Sequence, residues 1–193
     1  MRDFLARIRP GLVYTLAILL GSSLQFNSQL FELNGILPDF LLVFPLLTGM
    51  RYGPRDGMII GLSCGFLRDY LAGRYFGLGL FFTFLLAWGS GFLPVIRGRL
   101  RYALYAAVII FTTIFLRFGR AVLSFFAQYS DMHNLRFLWF LKEMSQDLLL
   151  MILMNLTIAA VTVALHLVLP PYPRAKKPRS GVMINFEPGG PHV

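Results

Sequence analysis

In the stretch GFLRDYLAGRYFGLG, residues 65–79, Arg68 and Asp69 stand side by side within one of the most apolar parts of the chain. A carboxylate in such surroundings can work as a base or metal ligand, or it can accept hydrogen bonds that hold chain segments together. The first use needs companions. Nothing near Asp69 resembles a nucleophile–base pair, and no phosphate loop, zinc motif or pair of carboxylates at catalytic spacing appears elsewhere. His133, His166, His192 and the single cysteine, Cys64, lie far apart and give no metal-ligand spacing. The expectation is a protein that is not an enzyme and carries no cofactor or metal. Asp69 is then either an exposed interfacial residue or a buried hydrogen-bonding anchor that fixes helix packing or receives a partner.

A second set of charges lies further on. Arg117 and Arg120 are three residues apart, and Glu143 and Asp147 are four apart, so on helices each pair shares a face. Counted from the opposite helix ends, Arg120 stands roughly 27 Å and Asp147 roughly 33 Å along adjacent antiparallel helices. Counted from their shared loop, Arg117 comes level with Asp147 instead. The four form an intramembrane ion cluster that holds a helical hairpin together, or else line a polar cavity for a small anion. Gln25, Asn27 and Gln29 could line the same region or be ordinary interfacial residues.

The elements that carry these residues follow from composition. The 193 residues are 56% hydrophobic and 14% charged, with 19 phenylalanines and mean hydropathy +0.65. A soluble domain needs more charged surface than this. Apolar blocks near the length that crosses a bilayer imply an all-α membrane protein with six transmembrane helices, at about 11–30, 38–51, 54–73, 76–96, 102–126 and 138–169. Pro10-Gly11 opens the first, Pro38 suits the first position of the second, and Gly53-Pro54 makes a tight turn before the third. Pro45 kinks or tilts the short second span.

Orientation follows from the cations. With the N-terminus inside, twelve Lys and Arg residues fall in inside segments, and four (Arg68, Arg74, Arg136, Lys142) fall outside. This places both termini in the cytoplasm. The net charge of +9 thus reads as topology and not as nucleic-acid binding. Residues 1–170 form the transmembrane domain. Residues 171–193, with PYPRAKKPRSG and then EPGGPHV, form a basic Pro/Gly-rich cytoplasmic tail suited to anionic lipid.

Glycines 53, 57, 61 and 65 recur every four residues, and Asp69, Gly73 and Gly77 continue the spacing. On a helix this makes one slowly drifting face. In lipid, such a face lets another backbone approach closely, so Gly57, Gly61, Gly65, Asp69, Gly73 and Gly77 form a candidate packing or partner face. Arg68 lies about 100° away and is expected to snorkel to the outer headgroups.

The run LPDFLLVFPLLTGMRYGPRDGMIIGLSCGFLRDYLAGRYFGLG, Leu37 to Gly79, resembles the central region of the bacterial rod shape-determining MreD family. The likeness rests on the Pro-led second helix, the basic turn, the G-x-x-x-G spacing and then D-x-x-x-G-x-x-x-G, matched by Asp69, Gly73 and Gly77. The resemblance implies a subunit of the cell-elongation machinery in the bacterial cytoplasmic membrane. Its partners would be the bitopic protein MreC, the actin-like MreB, the glycan polymerase RodA and a penicillin-binding transpeptidase. It also implies a fold similar to the substrate-binding component of energy-coupling-factor transporters. Two functions compete: a non-enzymatic scaffold for lateral peptidoglycan synthesis, or a small-molecule-binding component of a vitamin-type transporter. A lipid-modifying enzyme would need a metal or nucleophile constellation that the chain lacks.

Overall fold

A helix that is apolar on every side has to be wrapped by other helices, and the second helix of this chain is such an element. The computed structural model describes residues 2–26, 32, 35–72, 77–94, 98–128, 145 and 147–172. Among them are six helices and no strand: α1 (Arg2–Phe26), α2 (Phe40–Tyr52), α3 (Pro54–Ala72), α4 (Leu78–Ser90), α5 (Leu100–Gln128) and α6 (Leu148–Val168). Every residue of α2 from Phe40 to Met50 is buried, and α2 touches each of the other five helices.

Around α2 the usual order of a soluble protein is inverted. Leu12, Leu16 and Leu19 of α1, Phe111 and Phe118 of α5, and Leu149 and Leu153 of α6 are exposed. Thr112, Thr113, Asn155, Thr162 and His166 of the same α5 and α6 are buried. Exposed apolar surface on this scale suits a bilayer. Two segments are long and apolar enough to cross one: Leu100–Gly119, 20 residues of mean hydropathy 1.7, and Leu148–Val168, 21 residues of mean hydropathy 2.5.

The other elements depart from expectation in instructive ways. α2 and α4 have 13 residues each, about 20 Å of helix, less than a hydrocarbon core on their own. α4 stops at Ser90 and not near 96, because Gly91 and Phe92 close tight turns onto Trp88 and Gly89 just ahead of Pro94. A residue before proline is pushed out of the helical region. α1 starts at Arg2, so Pro10 lies inside a helix and does not open one. The charged and apolar residues before it favour helix strongly enough to absorb the one lost hydrogen bond. α2 begins at Phe40, two residues after Pro38, with Asp39 at its N-cap. The expected sixth span opened at 138; residues 138–144 and 146 lie outside the described residues, and α6 is described from Leu148.

α2 and α3 are joined by Gly53 alone, whose φ of 106° only glycine adopts without strain. The resulting hairpin, together with α4, puts the C-terminal end of α2, the start of α3 and the end of α4 at one end of the bundle. Tyr14 of α1 donates to Asp56 at 3.1 Å, and Tyr52 meets His166 edge-on at 5.3 Å between ring centroids. These contacts bring the first half of α1 and the C-terminal end of α6 to the same end. Packing continues past α6: Pro171 is buried, and the Tyr172 ring lies 5.7 Å from that of Tyr52.

Candidate functional site

The glycine spacing of α3 makes a groove, and α4 lies in it. A Cβ built on Gly65 would stand 2.6 Å from Leu80 Cα, and one on Gly61 would stand 2.9 Å from Ala87 Cβ. One on Gly57 would run into the Ala87 carbonyl. Backbone-to-backbone approach of this kind is what small residues permit between apolar helices. The groove is thus filled within the chain.

Asp69 closes the groove. It is 4% exposed, and its Oδ2 accepts from the backbone N–H groups of Gly77 at 2.7 Å and Leu80 at 2.9 Å. Gly77 is the N-cap of α4, with φ 101°, and has no side chain to satisfy the orphan donors of the first turn. Asp69 does this from the neighbouring helix. Gly77 accordingly belongs to a turn, and its place in the four-residue spacing does not continue the helical face, because α3 ends at Ala72. Gly73 lies outside the described residues.

Arg68 departs most from expectation. It does not reach outward. Its guanidinium pairs with Asp39, the two side chains being 12% and 6% exposed. The reason is local: Asp39, at the N-cap position of α2, is buried and its carboxylate makes no cap bond to that helix, so it needs a cation close by. Around this pair the sequence reading missed a network. Asp39 N–H donates to Asn155 Oδ1 at 2.8 Å, Asn155 Nδ2 donates to Thr113 Oγ1 at 3.0 Å, and Gln25 Oε1 accepts from Leu41 N–H at 3.0 Å. Five helices (α1, α2, α3, α5 and α6) are thereby tied together at the N-terminal end of α2. Asn27 and Gln29 lie outside the described residues.

The ion cluster is only partly brought together. Arg117 stands 3.9 Å from the Asp147 carboxylate, the register that counting from the loop gave, and its other terminal nitrogen contacts Met151 Sδ at 3.8 Å. Both side chains are partly open, at 29% and 52%. Arg120 sits on α5, its side chain and the whole of Glu143 lying outside the description. At this spacing the pair is a loose clasp at the rim of the bundle.

No group of three or more His, Cys, Asp and Glu side chains suited to a metal ion occurs among the described residues. Cys64 is buried in the apolar cluster with Ile18, Phe44 and Ile60. Two buried carboxylates hold helices in different ways: Asp69 accepts from the first turn of α4, whereas Asp39, at the N-cap position of α2, pairs with Arg68 while its backbone carbonyl accepts from Leu42 and Val43. Comparison with protein-family models, curated proteins and solved structures found no match.

Proposed function

We propose that the chain is a non-enzymatic membrane scaffold of the bacterial cell-elongation machinery, of the MreD type, which binds a bitopic MreC-like partner. The observation that carries this reading is that the described residues of the two motifs behind the resemblance pack α3 against α4. The G-x-x-x-G groove of α3 seats α4, and the Asp69 of D-x-x-x-G-x-x-x-G caps it. Polar side chains in this unit serve packing, which suits a protein whose work is to hold and present helices.

In this reading the chain lies in the cytoplasmic membrane and crosses it six times, with both termini inside. The short α2 is compatible with a crossing. It is enclosed by protein, and the segment that precedes it, with Ile36, Pro38 and Asp39, is also buried. Non-helical backbone is tolerated at membrane depth where protein surrounds it. MreB, RodA and a penicillin-binding transpeptidase would be neighbours in the assembly.

The second reading, a small-molecule-binding transporter component, draws on the buried network of Arg68, Asp39, Asn155 and Thr113. These groups bond to one another, which favours the scaffold. One experiment separates the two: affinity capture of the tagged chain from native membranes, read by mass spectrometry. Recovery of an actin-like protein and a bitopic partner supports the scaffold. Recovery of paired ATPases would replace it with the transporter reading.

A further inference from the structure

The two ends of the bundle hold their charges differently. At one end the acids are matched: Asp39 pairs with Arg68, Asp147 lies 3.9 Å from Arg117, and Asp69 accepts from two backbone N–H groups. At the other stand Arg9 of α1, Arg51 at the end of α2, Arg55 at the start of α3, and Arg99 and Arg101 at the start of α5. None of these five arginines forms an ion pair among the described residues. Asp56, which lies in their midst, is 5% exposed and takes the Tyr14 hydroxyl, so its charge is turned inward. The Arg51 guanidinium lies over the Tyr52 ring at 5.7 Å, and that of Arg101 over Tyr102 at 4.6 Å.

The surface just beyond these arginines is apolar. Leu12 and Leu16 follow Arg9 along α1, Ile59 and Leu62 follow Arg55 along α3, and all four are exposed. At 1.5 Å per residue, Leu12 is about 5 Å and Ile59 about 6 Å deeper than its arginine. A polyanion in water, such as nucleic acid, would leave that belt uncovered. A lipid covers both: acyl chains lie on the leucines while the headgroup meets the guanidinium, whose fork matches phosphate in geometry and charge. Tyr102, 43% exposed beside Arg101, suits an interface with one apolar and one wet side.

We propose that Arg51 and Arg55, on either side of the one-residue Gly53 turn, form a binding site for the phosphate of an anionic phospholipid. Arg9 flanks the site from α1, across the Tyr14–Asp56 contact. The site belongs to the folded bundle and not to the basic tail. It rests on the chain lying in a membrane and is independent of the scaffold role, so loss of the partner in capture experiments would leave it standing.

The test uses the full chain in nanodiscs of phosphatidylcholine, with and without phosphatidylglycerol, read by melting temperature and by native mass spectrometry of retained lipid. The wild type melts higher with phosphatidylglycerol and retains it. Arg51→Gln/Arg55→Gln loses most of the gain and binds phosphatidylglycerol roughly tenfold or more weakly, the size two cations carry near an anionic surface. Arg51→Lys/Arg55→Lys keeps the charge but not the fork and falls between. Arg117→Gln, at the other end, keeps the whole gain. The proposal is overturned if phosphatidylglycerol does not stabilise the wild type, if the double Gln variant retains the full gain, or if Arg117→Gln loses as much. Should the double Gln variant not fold, the Lys pair decides: lipid retention equal to wild type overturns a phosphate-specific site.

Discussion

Asp69 Oδ2 lies 2.9 Å from the backbone nitrogen of Leu80, the third residue of α4, and 2.7 Å from that of Gly77, its N-cap. In a capping box these two donors are served by two side chains of the helix itself. Here one carboxylate on another helix serves both, so the geometry of α3 dictates where α4 begins. Gly79 is part of the same fit, because a Cβ there would collide with the Asp69 carboxylate.

Asp69→Ala removes both acceptors and leaves two buried donors at a helix start. A loss of about 2–4 kcal/mol is expected, from two hydrogen bonds to a charged acceptor. Asp69→Asn keeps one carbonyl oxygen and retains part of it. Melting in detergent measures both. Equal melting of wild type and Asp69→Ala would show that α4 does not depend on this cap.

The glycine groove makes a graded prediction. Gly65→Leu forces side-chain atoms into the Leu80 backbone and is the most damaging, and Gly61→Leu meets the Ala87 methyl and follows. Overpacking costs about 1–3 kcal/mol where side chains can shift, and more against backbone. Gly89 and Gly119 face open space, so the same change there is mild. Folded yield and melting temperature should rank the four variants in that order. Gly89→Leu as harmful as Gly65→Leu would contradict the packing.

Arg68 and Asp39 behave as a buried pair. Either Arg68→Ala or Asp39→Ala alone leaves an uncompensated charge and is expected to cost about 3–5 kcal/mol. Arg68→Met with Asp39→Asn removes both charges and recovers much of the loss, so a double-mutant cycle should return a large coupling. Additive losses would mean the two do not act together.

The Arg117–Asp147 pair is its foil. At 3.9 Å and with half the carboxylate open, it is expected to contribute under about 1 kcal/mol. Asp147→Ala therefore shifts the melting temperature far less than Arg68→Ala, measured side by side. A shift as large as that of Arg68→Ala would show that this clasp carries the hairpin.

How far the sequence could be read is visible in these same residues. The bounds of α3 and the role of its glycines follow from one periodic face, which a single helix displays by itself. Asp69 was legible because it continues that face. Arg68 was not, since its partner Asp39 sits 29 positions earlier on another helix, and periodicity says nothing about which faces meet. Asn155 did carry a signal: it is the one amide in the apolar run LLLMILMNLTIAAVTVALHLV. A buried amide in such a run needs a partner, and here it has Asp39 and Thr113. The length of α4 escaped because two-residue turns ahead of Pro94, and not the apolar pattern, end the helix.

Arg9, Arg51, Arg55, Arg99 and Arg101 gather at one end of the bundle, where the only acid with a described side chain, Asp56, is turned inward. Cations of this kind are retained on the cytoplasmic side. The six-crossing arrangement proposed above would then put positions 33 and 131 outside and position 185 inside. Cys64 is buried among Ile18, Phe44 and Ile60, so Cys64→Ala is the suitable background, keeping an apolar side chain there. Single cysteines at 33, 131 and 185 are then labelled in intact spheroplasts with a membrane-impermeant maleimide, and again after permeabilisation. Positions 33 and 131 should react in both conditions, and 185 only after permeabilisation. Reaction of 185 in intact cells would reverse the orientation of the last helix and, with it, the leaflet that the arginines face. Protection of 131 together with reaction of 33 would instead reduce the number of crossings, with α5 and α6 no longer meeting at an outer loop.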